Sequence, residues 1–112
     1  MVAVTTAYRL STDKTYSQTL DALEETFRKW SIREWTVTPI RVDSRRVYGL
    51  GLEERTVTLR FVHGGHDVIL SMNRQDTPKD NLRVLYLAVE AMRMNEARGI
   101  GDPLQAAYLQ LA

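Results

Sequence analysis

Hydrophobic positions recur along this chain with two periods, and the switches between them mark its elements. Tyr16, Leu20, Leu23, Phe27 and Trp30 lie alternately four and three residues apart, the spacing of one apolar helical face, while Glu24, Glu25, Arg28 and Lys29 occupy the rest of the circumference. Thr15, with Gln18 three residues on, has capping-box spacing and opens that helix. Before it, Val2 to Arg9 is rich in β-branched residues and reads as a strand. After it, from Glu34 to Val42, the period becomes two, and Asp43-Ser44 reads as a tight turn into a shorter strand from Arg45 to Leu50. Such a hairpin sets Ile40 opposite Val47, Val37 opposite Leu50 and Trp35 opposite Leu52. Pro39 has no amide donor, which puts its strand at a sheet edge or a bulge.

The second hairpin is marked more strongly. Arg55 to His63 and His66 to Arg74 flank Gly64-Gly65, a pair suited to the positive backbone dihedrals of a type I′ turn. That loop pairs Phe61 with Val68, Leu59 with Leu70 and Val57 with Met72 on one face, and sends Thr58, Arg60 and Ser71 to the other. Thr77-Pro78 then gives an N-cap followed by proline at the first helical position, with Asp80 in the first turn. The helix runs from Pro78 to about Arg98, where Gly99 suits the C′ position, and its middle is apolar nearly all round, so it needs cover on more than one side. Asp102-Pro103 repeats the cap logic for a last short helix with Leu104, Ala107, Tyr108 and Leu111 on one stripe, which with a second subunit is a source of that cover. The expected fold is one α+β domain over residues 1–112, an antiparallel sheet of about five strands in the order β-α-β-β-β-β-α-α, with helices packed on one face.

Composition narrows the function classes. The chain has 112 residues, 44% hydrophobic and 26% charged, which suits a globular domain rather than a disordered one. It has no cysteine, so disulfides, thiolate metal sites and a cysteine nucleophile are excluded. The longest apolar run, Val84 to Val89, is far short of a membrane span, so a cytoplasmic protein without membrane attachment is expected. Fifteen basic against fourteen acidic residues give a net charge of +1, too little for global attraction to nucleic acid.

Few constellations invite chemistry. His63 and His66 bracket the Gly-Gly turn, but two imidazoles with only Asp67 nearby do not make a metal site, and no metal or other cofactor is expected. Ser71, His63 and Asp67 have the residue types of a catalytic triad, yet Ser71 lies far enough along the ladder to sit roughly 15 Å from the turn, so no catalytic residue is assigned. Arginine supplies twelve of the fifteen cations. Arg41, Arg45 and Arg46 surround the first hairpin turn and Arg55, Arg60 and Arg74 decorate the second, a set suited to phosphate, although Asp43, Glu53, Glu54 and Asp76 neutralise much of it. In the long helix Glu90 precedes Arg93 by three residues and Glu96 follows it by three, which favours intrahelical ion pairs. Arg83, Glu90 and Asn95 interrupt its apolar surface and need partners wherever they are buried.

The run DNLRVLYLAVEAMRMNEARGIGD from Asp80 to Asp102, followed by AAYLQL from Ala106 to Leu111, resembles an uncharacterised module at the N-terminus of bacterial and phage proteins that continue into a J-domain. FRKWSIREW, Phe27 to Trp35, and the charged-turn hairpin before the helix are similar to it too. The resemblance implies an accessory domain of a co-chaperone-like protein, either the front piece of a longer chain or a free-standing relative. The His-Pro-Asp tripeptide through which a J-domain acts on its chaperone is not formed at either histidine, since Gly64 follows His63 and Asp67 follows His66, and no functional residue carries over.

The expected function is therefore a non-enzymatic protein-interaction module, chaperone-associated by resemblance and homodimeric through the long helix. Tyr86, Val89, Met92, Arg93 and Tyr108 are the expected partner surface. The alternative is a nucleic-acid-binding domain that uses the arginines of the hairpin face.

Overall fold

Thr15 caps the first helix, α1 (Tyr16–Lys29): its hydroxyl accepts the Gln18 backbone N–H at 3.0 Å, and the Gln18 side chain accepts the Thr15 N–H at 2.9 Å. The chain is seen here as a computed structural model, which describes residues 9–43 and 49–99. Tyr16, Leu23 and Phe27 are buried as their spacing requires, with Leu20 and Trp30 half-buried against the same core. Thr19 and Thr26 are buried as well, because α1 rests on a second helix in addition to the sheet. The helix ends in a Schellman motif in which Ser31 occupies the left-handed C′ position at φ 59°, Ser31 N–H bonds the Arg28 carbonyl, and Ile32 N–H bonds the Phe27 carbonyl at 2.9 Å.

Three strands form the sheet of the described residues: β1 (Trp35–Thr38), β2 (Val57–His63) and β3 (His66–Met72), antiparallel in the order β1-β2-β3. The Gly-Gly hairpin has the expected register, with Phe61 opposite Val68, Leu59 opposite Leu70 and Val57 opposite Met72, and both glycines take positive φ. The first hairpin differs. β1 pairs with β2, setting Trp35 opposite Phe61 and Val37 opposite Leu59, so neither Leu50 nor Leu52 is its partner. Leu52 instead begins a single helical turn, α2 (Leu52–Arg55), and is exposed. Local alternation fixed the strand's two faces but not its neighbour; β2 offers Leu59 and Phe61 on the buried face, a larger apolar match than Leu50. β1 stops at Thr38 before Pro39, on an outer position of the described sheet, and the Thr38–Pro39 peptide is cis.

Of the five strands expected, those at Val2–Arg9 and Arg45–Leu50 lie mostly outside the described residues; Arg9, Gly49 and Leu50, which are described, are not in a strand. The short helix after Asp102 lies outside them entirely.

The long helix, α3 (Pro78–Ala97), opens on Thr77, with Pro78 at its first position, and closes at Arg98 before Gly99 at φ 83°. Leu82, Leu85, Val89 and Met92 face Val57, Leu59, Phe61 and Val68 of the sheet together with Leu23 and Phe27 of α1, in one hydrophobic cluster. Val84 and Ala88, on the adjoining flank, are buried too, so the helix is covered on more than one side. Phe27 packs at 5.1 Å between ring centroids on both Trp35 and Phe61. The opposite side of the sheet carries Thr36, Thr38, Arg60, Asp67, Ile69 and Ser71 and is exposed. The fold is α+β with both long helices on one face of an antiparallel sheet.

Candidate functional site

Contacts between α1 and α3 advance together along both helices: Thr12 meets Asp80, Thr26 meets Glu90 and Trp30 meets Glu96. The two helices are therefore parallel, and their N-terminal ends lie side by side. Asp80 accepts the Thr12 N–H at 2.9 Å and the Thr77 hydroxyl at 2.7 Å, while the Lys79 ammonium donates to the Thr12 carbonyl at 2.5 Å. The backbone N–H and carbonyl of one residue in the segment before α1 are thus held by two consecutive side chains of α3.

At that end a half-open cleft of about 710 Å³ lies between residues 13–17, Pro39, residues 41–43, Leu50, Glu54 and residues 77–79. Tyr16, Pro39, Val42, Leu50 and Pro78 give it an apolar lining. The Tyr16 hydroxyl donates to the Pro39 carbonyl at 2.5 Å, and burial pushes its phenol well above the ordinary tyrosine range. Charges of both signs stand on the rim: Lys14, Arg41 and Lys79 against Asp13, Asp43 and Glu54. Asp43 and Glu54 have interactions of their own, whereas among the described residues no hydrogen bond or ion pair is made by the Lys14 and Arg41 side chains. A volume of this size, apolar with a few polar groups, is what small ligands and short peptide segments occupy.

At the other end of the helices the Glu96 carboxylate accepts the Trp30 Nε1–H at 3.0 Å, and His63 Nε2 lies 2.7 Å from the same oxygen. The indole and imidazole pack at 4.5 Å between centroids with their planes tilted by 37°, so the cluster ties together the ends of α1, β2 and α3. This differs from the expected Arg93–Glu96 pair: Arg93 bonds Glu90 at 2.9 Å, and Glu96 turns to the sheet. Local spacing could not separate the two, because both lie one turn from Arg93 and only the fold brings His63 to Glu96. Arg83 stacks on the Tyr86 ring, and Asn95 is buried.

The expected arginine set is divided among different elements. Arg60 projects from the open sheet face and is paired with Asp67 at 2.6 Å. Arg55 donates to the Asn73 carbonyl at 2.9 Å, Arg74 is exposed, and Arg41 stands on the cleft. Arg45 and Arg46 lie outside the described residues. The expected partner surface on α3 needs a correction. Val89 and Met92 are 0% and 2% exposed within the chain's own core, Tyr86 is half-buried against it, and Arg93 is held by Glu90; Tyr108 lies outside the described residues. Val89 and Met92 are thus turned inward and offer no surface within this chain.

His63 and His66 are cross-strand partners as the turn requires. Among the described residues no three His, Asp or Glu side chains are grouped to hold a metal. Ser71 bonds Thr58 at 2.7 Å, several rungs along the ladder from His63, so the triad residue types are not assembled. Among the described residues no helix is long and apolar enough to cross a membrane. Compared with known proteins, the chain matches no family model, no curated protein and no solved structure.

Proposed function

We propose that the chain is a non-enzymatic protein-interaction module that receives a short segment of its partner in the cleft between the N-terminal ends of α1 and α3. The observation that carries this reading is the cleft itself: an apolar lining of Tyr16, Pro39, Val42 and Leu50, open to solvent and rimmed by charge, on a frame stitched through Thr12. Chaperone association belongs to the reading and rests on the sequence resemblance alone, whose specific part is Asp80–Asp102 with Ala106–Leu111. Nucleic-acid binding through the hairpin is less well supported, because Arg60 and Arg55 already have partners and Ile69, 64% exposed, sits beside Arg60 on the sheet face.

Photo-crosslinking in the native cell tests it. With a benzophenone amino acid at Leu50, one discrete protein adduct is expected, absent when the probe stands at Ile69 on the sheet. Recovery of a heat-shock chaperone in that adduct supports the chaperone link. A nucleic-acid adduct at Ile69, or no discrete adduct at Leu50, overturns the reading.

A further inference from the structure

We draw no further inference here: the strongest candidate, the outer edge of β3 with the exposed Ile69 at its centre, is unpartnered only among the described residues, and nothing in the structure shows what covers it.

Discussion

The Thr26 hydroxyl of α1 donates a hydrogen bond to the Glu90 carboxylate of α3, and Arg93 holds the same carboxylate at 2.9 Å. Glu90 is about a quarter exposed, at 24%. Burial alone opposes its ionisation, but the hydrogen bonds from Thr26 and Arg93 and the arginine's charge outweigh it and hold the carboxyl below the ordinary glutamate range. Its folded-state pKa is therefore lower than its unfolded one. The stability it contributes is fully present above the unfolded value, about 4.3, and is lost as pH falls through the folded value. Glu90→Gln should cost about 1–2 kcal/mol at neutral pH, with the difference from the parent shrinking below about pH 4. Urea unfolding from pH 3 to pH 7 measures this, and a difference independent of pH would exclude the charged bond.

Ser31 holds a left-handed φ of 59° at the C′ position of α1, where glycine has no steric penalty. Ser31→Gly should stabilise the protein by about 1 kcal/mol, the relieved strain exceeding the entropy that glycine adds to the unfolded chain. The neighbouring bonds are backbone to backbone, from Ser31 and Ile32 to Arg28 and Phe27, and stay in place. A lowered melting temperature would show that the serine is not strained there.

Asn81 is fully buried and joins three backbone groups: it accepts the Gln75 N–H at 2.8 Å and donates to the Arg55 carbonyl at 2.8 Å and the Gln75 carbonyl at 3.1 Å. Leucine shares its branched side-chain skeleton but leaves all three unpaired. Asn81→Leu should cost about 3 kcal/mol or more, and Asn81→Asp, which loses the two donated bonds, a similar amount. Thermal melts of the two variants check this, and near-wild-type stability in the leucine variant would mean that the α2 end and the turn before α3 repack without the bracket.

Tyr16 gives the opposite pH dependence. Its phenol ionises near pH 10 in the unfolded chain and well above that when buried, so the unfolded state gains charge first as pH rises and native stability declines above about pH 10. Tyr16→Phe removes that slope at a cost of about 1 kcal/mol near neutrality, for the lost bond to Pro39. Parallel urea titrations at pH 7 and pH 10.5 should show the parent losing more than the variant; equal losses would place the alkaline sensitivity elsewhere.

What could be read from the sequence follows sequence distance. The Gly64-Gly65 hairpin, the Thr15 and Thr77 caps and the Gly99 stop are decided within a few residues, and their signals were unambiguous. The partner of β1 was not, because alternation states which side chains share a face and is silent about which strand lies alongside. A helix apolar nearly all round suggests a face offered to a partner; the parallel packing of α1 instead turns Val89 and Met92 inward and buries Thr26 beside Glu90. The cleft has the same origin. Its residues come from four separated stretches of chain, each unremarkable alone, and tertiary contacts such as the bonds of Thr12 to Asp80 and Lys79 and of Tyr16 to Pro39 bring them together.

The carboxylate of Glu96 separates a local from a tertiary account of the same residue. Intrahelical pairing with Arg93 would couple Glu96 to that arginine, whereas the structure couples it to Trp30 at 3.0 Å and His63 at 2.7 Å and leaves Arg93 to Glu90. The cluster is partly exposed, so each coupling should be modest, about 0.5–1 kcal/mol. Double-mutant cycles discriminate the accounts. Glu96→Ala with Trp30→Phe, and Glu96→Ala with His63→Ala, should each show an interaction energy in that range, while Glu96→Ala with Arg93→Ala should be additive. Glu96→Ala should also alter the tryptophan emission, since it removes the indole's hydrogen-bond acceptor while Trp35 stays packed on Phe27. Coupling to Arg93 and additivity with Trp30 would mean that the helix ends are held only by the apolar contacts of the core.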